Sequence, residues 1–245
     1  MTYNGGCEAV SFGAGLVGVL YASAGNQPRP AAILLHGIPG AEKNADIAAA
    51  LRDMGWHALI LSFAGAWGSG GDFNMLAQPD DVIDAVDYLL TPGQPWQIDP
   101  QRVALVGFSL GCRAALVAAR RDARIGAVAA IAGIADFDEV MLSDDFFTHA
   151  ARFSHGANAN AIKRQWAQLG GADNPITVIR DLKQPTVIVH GTDDDVVPFY
   201  MGEALKSAGG SAVELLPLRG ADHTFTHHRR WLVEQVTRWL SRWAK

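Results

Sequence analysis

Three things are scarce in this sequence: cysteine, basic charge and long apolar runs. Only Cys7 and Cys112 are cysteines in a chain of 245 residues. Two are too few for a disulfide-stapled scaffold or a four-cysteine zinc site. Lys and Arg number 20 against 25 Asp and Glu, a formal net charge of −5. Without a basic excess, nucleic acid is not an expected partner. No apolar run approaches the ~20 residues that span a bilayer, so no membrane partner is expected either. The opening M-T-Y-N-G-G-C-E-A-V lacks the basic stretch and apolar core of a secretory signal, which leaves a cytoplasmic location as the default expectation. With 49% hydrophobic and 18% charged residues, the composition suits a compact globular enzyme with a substantial core. It does not indicate an oligomeric state.

What is present is an alternation of strand and helix signals. Residues 7–12 and 15–22 read as an N-terminal β-hairpin. Residues 31–35 form a buried strand, and Ile47, Leu51 and Met54 fall at helical spacing over 44–54. Further strands are expected at 57–63, 103–106, 125–134, 185–189 and 212–216. Helices are expected at 79–90, 199–208 and 226–243, with Pro79 in a first-turn position. Strands alternating with helices imply a mostly parallel α/β sheet covered on both faces. Residues 137–182 break the rhythm with mixed helical segments and the aromatics Phe146, Phe147, Phe153 and Trp166. One domain over 1–245, with a helical cap inserted at 137–182, is the economical reading.

The chemistry centres on Gly107-Phe108-Ser109-Leu110-Gly111. A buried strand precedes it and a small-residue helix follows, the context of a G-x-S-x-G nucleophile elbow. Glycines two before and two after Ser109 leave room for neighbouring backbone that a Cβ would block. The helix N-terminus behind Ser109 favours developing negative charge. Cys112 lies in that helix and reads as a buried free thiol.

A serine needs a base, and histidine, with an ordinary pKa near ~6.5, is the usual one. Of eight histidines, His223 sits in a loop between the last strand and the last helix, at the carboxyl edge where α/β proteins bind ligands. His227 and His228 fall on the following helix and read as surface residues. The orienting acid is expected among Asp193, Asp194 and Asp195, after the preceding strand, with Asp136 in reserve; spacing alone does not choose. A calcium reading of the three aspartates fails because the EF-hand glycine and distal glutamate are missing. For the oxyanion, Leu110 N–H is one expected donor and Ile38 N–H, in His36-Gly37-Ile38-Pro39-Gly40, the second, since Pro39 has no N–H. His36 reads as packing beneath that turn. The loop Gly65-Ala66-Trp67-Gly68-Ser69-Gly70-Gly71-Asp72 lacks the ending of a phosphate loop and reads as an active-site rim, with Trp67 beside the substrate.

These motifs together resemble an α/β-hydrolase, with Ser109, the aspartate and His223 in that superfamily's chain order. H-G-I-P-G, G-A-W-G-S-G-G, G-F-S-L-G, H-G-T-D-D-D-V-V-P and G-A-D-H-T-F are similar to the prolyl-oligopeptidase-like and dienelactone-hydrolase-like branches. The resemblance assigns the acid to Asp194, three residues after Gly191 and four before Pro198. The chain has no room for the β-propeller of a prolyl oligopeptidase proper, and it holds Ser109 where a dienelactone hydrolase proper has cysteine. The resemblance therefore implies a stand-alone serine esterase: a Ser109–His223–Asp194 triad, oxyanion donors Ile38 and Leu110, a small-molecule ester substrate, an acyl-enzyme, and no metal or organic cofactor. Amide cleavage by an aminopeptidase or amidase, acyl transfer, and a non-catalytic binding protein are the competing readings.

Overall fold

The computed structural model describes residues 3–245. Strands β1 (Gly6–Phe12) and β2 (Leu16–Ala22) form an antiparallel hairpin. Then come β3 (Arg29–Leu35), α1 (Ala45–Asp53), β4 (His57–Ser62), α2 (Gln78–Leu90), β5 (Ile98–Phe108) and α3 (Leu110–Arg121). After β6 (Ile125–Ile131) the chain makes α4 (Asp144–Ala151), α5 (Ala159–Trp166) and α6 (Pro175–Asp181) before β7 (Thr186–Gly191). It ends with α7 (Tyr200–Gly209), β8 (Val213–Leu218) and α8 (Arg229–Trp243). The eight strands make one sheet in the order β1-β2-β4-β3-β5-β6-β7-β8. β2 meets β4 antiparallel, and every pairing from β4 through β3 to β8 is parallel.

The two-residue period of the strands divides the core. Ile33, Leu35, Leu59, Leu61, Val103 and Leu105 face a layer that includes Val82 and Val86 of α2, Leu116 of α3, Ile179 of α6 and Leu205 of α7. Ala32, Leu34, Ala58, Ile60, Ala104 and Val106 face the other way, onto Ile47 and Leu51 of α1 and Leu232 and Leu240 of α8. Both faces are therefore dry, and the central strands read as unbroken apolar runs for that reason. Trp239 is buried within the second cluster, so core packing accounts for it.

Residues 137–182 do not act as one body. Ser143 and Asn158 cap α4 and α5, accepting the N–H groups of Phe146 and Ala161, the usual service of Ser and Asn at helix starts. α6 instead packs against α3 and α7 in the helical layer. Two local expectations change. Met54 is half exposed, because α1 ends at Asp53 and Gly55, at φ 89°, turns the chain away. The last helix starts at Arg229 rather than 226: Phe225 takes φ 57°, and Thr226 N–H donates to Asp222 Oδ1 at 2.7 Å. His227 and His228 thus occupy a turn, not the helix. Among the described residues, no helix is long and apolar enough to cross a membrane.

Buried Arg113 on α3 ties distant segments together. Its guanidinium donates to Met75 O and Leu169 O, both at 3.3 Å, and lies 3.7 Å from Asp173. Arg113→Leu strands those carbonyls, and urea unfolding should show a loss of about 1–3 kcal/mol. Two histidines are also buried: burial pushes His36 and His57 down to about 4. The unfolded chain protonates them below ~6.5 while the folded protein resists, so the unfolded state binds more protons in that interval. Burial pushes Asp81 up to about 6, which opposes one histidine over the same interval, so stability should fall as pH drops from about 6 to 4.5 by about 1 kcal/mol per unit. Urea midpoints across that range check it, and replacing either histidine with asparagine should flatten the slope.

Candidate active site

Strand β3 is followed by β4 on one side and β5 on the other. At such a switch point the connections leaving the carboxyl ends diverge and open a crevice. The turn after β3 and the elbow after β5 meet there. Ser109 holds φ 52° and ψ −121° between β5 and α3, a sparsely populated conformation that persists only where neighbours enforce it. Those neighbours are backbone. A Cβ on Gly107 would stand 2.7 Å from Cys112 Cα, and one on Gly111 only 2.4 Å from Leu35 O. The elbow glycines are thus packing requirements, as the sequence implied. Gly37 closes the gap from the other side: a Cβ there would reach within 2.9 Å of Ser109 Cβ.

Leu110 opens α3, so its N–H belongs to the first turn and has no intrahelical acceptor. Ile38 belongs to the facing turn and lines the same cavity as Ser109, Leu110 and His223. His36 lies beneath: its ring nitrogens are 2.7 Å from Gly37 O and 3.4 Å from Phe63 N. Nδ1–H donates and Nε2 accepts, which suits the neutral form that burial imposes. Cys112 is buried, its thiol directed at Gly107 O and Ile131 O. Burial pushes that thiol up to about 12, so it stays protonated and inert.

Of the three consecutive aspartates, only Asp194 is buried; Asp193 and Asp195 are exposed. Asp194 Oδ2 meets His223 Nδ1 at 2.8 Å, and Oδ1 accepts Val196 N–H and Val197 N–H at 3.0 and 2.8 Å. Burial alone would raise the Asp194 pKa. Hydrogen bonds from His190 and His223, the charge of His223 and the Val197 N–H outweigh it and hold the carboxyl well below the usual carboxylate range. His190 had drawn no role from the sequence beyond its place in a motif. Its Nε2 lies 2.8 Å from Val197 O and 3.3 Å from Asp194 Oδ2, so it helps fix the acid's loop. The only available signal was its position at the end of a buried strand, four residues before Asp194. Asp136, the reserve acid, is used elsewhere: Oδ1 accepts from Asn174 Nδ2 at 2.6 Å and Asp138 N–H at 3.0 Å.

The cavity above Ser109 holds about 300 Å³. Val140, Leu142, Phe146 and Trp166, all from residues 137–182, build one wall, and Ile134 and Val197 add to it. Trp166 turns its indole N–H away onto Val140 O at 3.2 Å, leaving hydrocarbon for the cavity. Glu42 is the one side chain of fixed charge in the lining; its carboxylate accepts Asn44 N–H at 2.6 Å and lies 3.8 Å from Arg229. Trp67 stands outside this lining. Its indole N–H donates to Pro39 O at 2.7 Å, so it braces the turn from behind. Among the described residues, no three His, Cys, Asp or Glu side chains gather as a metal site.

Comparison with known proteins fits this architecture. Solved structures that superpose on nearly the whole chain include three hydrolases. Est1E from Butyrivibrio proteoclasticus with ferulic acid bound is 18% identical, at TM-score 0.75, with 97% of this chain and 100% of that one covered. The esterase domain of a Rhodothermus marinus protein is 21% identical, at TM-score 0.69, covering 97% and 98%. A puromycin-hydrolyzing peptidase of Mycobacterium tuberculosis is 18% identical, at TM-score 0.73; the match covers 98% of this chain but only 39% of the peptidase. At such identities the likeness establishes the α/β-hydrolase fold alone. No curated protein matches the sequence. The model of the prolyl oligopeptidase family, however, matches residues 48–245, most of the chain and all of the segments that carry Ser109, Asp194 and His223. The chain belongs to the prolyl oligopeptidase family of serine hydrolases.

Proposed function

We propose that this protein cleaves carboxylic esters of uncharged, apolar acids through an acyl-enzyme. The observation that carries the reading is the cavity: Ser109 and His223 share it with a wall of aliphatic and aromatic side chains. Its one carboxylate, Glu42, is already engaged. At ~30 Å³ for each water-sized group, about 300 Å³ takes an acyl group of about ten non-hydrogen atoms. A peptide's C-terminal carboxylate would need a cation, and this lining has none. Esters ask less, since the alkoxide leaves more readily than an amine.

Ser109 Oγ attacks the ester carbonyl while His223 Nε2 accepts its proton. Asp194, ionised throughout the working range, holds Nδ1–H and stabilises the imidazolium. Ile38 N–H and Leu110 N–H receive the oxyanion, a contribution of about 2.7–4 kcal/mol for each donor in comparable sites. His223 returns the proton to the departing alkoxide, then activates water to release the acid.

p-Nitrophenyl acetate, butyrate and octanoate, tested with wild type and Ser109→Ala, examine the reading. Turnover should favour butyrate or octanoate over acetate and fall at least about 10³-fold in the variant. Asp194→Asn should lower kcat on the order of 10³–10⁴-fold, because the base loses its tautomer. Succinyl monoesters should be poor substrates, for want of a cation in the wall. Family membership favours amide cleavage as a second reading; aminoacyl amides cleaved faster than any of these esters would establish it instead.

A further inference from the structure

We infer that Trp67 is a positioning residue that ties the helical insertion to the oxyanion turn. This inference rests on the hydrolase reading above. Trp67 sits at φ 51°, in the left-handed region where a bulky aromatic residue is a rare outlier. Strain of that kind persists only where the surroundings over-determine it, and it concentrates at functional sites. The surroundings are visible. The indole N–H donates to Pro39 O at 2.7 Å. One ring stacks on Phe153 with centroids 5.6 Å apart and planes at 18°, and Lys43 Nζ lies 5.2 Å from the Trp67 ring centroid. The side chain is nevertheless 40% exposed, so burial of apolar surface does not account for the arrangement.

Both ends of this linkage are anchored. Pro39 follows Ile38 directly, in a turn packed tightly against the elbow, since a Cβ on Gly37 would stand only 2.9 Å from Ser109 Cβ. An acceptor fixed at Pro39 O therefore sets the orientation of the turn that presents Ile38 N–H. Phe153 follows α4 within the insertion. The loop bearing Trp67 is stitched to the same segment by backbone: His155 N–H donates to Gly65 O at 2.7 Å, and Phe73 N–H to His155 O at 2.8 Å. Ser69, two residues on, links the end of β4 to the hairpin: its Oγ donates to Ser62 O and accepts Val17 N–H. The insertion that shapes the substrate wall thus also holds, through Phe153 and Trp67, the turn that receives the oxyanion. A group that acts through another's position moves kcat, because the misplaced donor matters most when charge develops on the carbonyl oxygen.

Trp67→Phe deletes the donor and keeps an aromatic ring beside Phe153. With p-nitrophenyl butyrate, kcat should fall about tenfold with KM unchanged within about twofold; a misplacement of about 1 Å can cost ~10²-fold. Affinity for a trifluoromethyl ketone, which forms the tetrahedral oxyanion on Ser109, should weaken by the same factor. Affinity for the corresponding methyl ketone, which binds chiefly unreacted, should not change. Phe153→Ala, which unstacks Trp67 but leaves its N–H, should show a smaller loss of the same kind and covers the case of a misfolded first variant. Unchanged kcat in folded Trp67→Phe overturns the inference, as does a raised KM at constant kcat, which would make Trp67 a substrate contact. If wild type and Ser109→Ala are equally inactive on every ester and amide, it is the hydrolase reading that fails.

Discussion

The site depends on one steric constraint, the contact of bare backbone between the segments leaving β3 and β5. Gly111 lies under the carbonyls of Leu35 and His36, Gly107 under the start of α3, and Gly37 against Ser109. With any Cβ at these places the strands could still pair, but the turn and the elbow could not close. Their closeness puts Ile38 and Leu110, from different segments, in the lining of one cavity with Ser109. It also maintains the unfavourable dihedrals of Ser109, whose cost is met by the packing of both layers together with the bonds of its own backbone, N–H to Ile131 O at 2.9 Å and C=O from Cys112 N–H at 3.0 Å.

A second constraint operates on charge. Asp194 is a buried carboxylate, expensive in an apolar interior unless its lone pairs are all engaged. Here Oδ1 accepts two backbone N–H groups and Oδ2 faces His223 and His190. The same bonds that keep the acid ionised fix the direction in which it holds His223. Stability of the loop and orientation of the His223 ring are therefore one arrangement, and the tight turn 194–197 is its source.

Much of this was legible because the chemistry is local in sequence. The elbow announces itself through two glycines around Ser109, and the alternation of apolar runs and helical faces locates the sheet and its hairpin. What eluded the sequence depends on distant neighbours. Three adjacent aspartates are equivalent until the turn buries Asp194 and exposes Asp193 and Asp195. His190 looks like any strand-end residue until the loop folds back over it. Trp67, an aromatic on a glycine-rich rim, suggests a substrate contact. Only the tertiary path shows that its N–H meets Pro39 O, 28 positions away in the chain. The insertion is similar: nothing in the pattern of 137–182 separates α6, which joins the layer, from α4 and α5, which reach the cavity.

That division of the insertion bears on how the cavity wall can change. Ser109, His223 and Asp194, with the two turns around them, are set by the sheet and its glycines. Phe146 and Trp166 hang from the short capped helices α4 and α5, and Val140 and Leu142 from the irregular segment before α4. Substitutions in those helices can reshape the wall without loosening the elbow, because core packing and elbow geometry reside elsewhere. The freedom has a limit where the insertion touches Trp67 through Phe153. A change there alters the insertion and the turn at 36–40 together, so the wall and that turn are separable along α5 and the start of α4 but coupled just after α4.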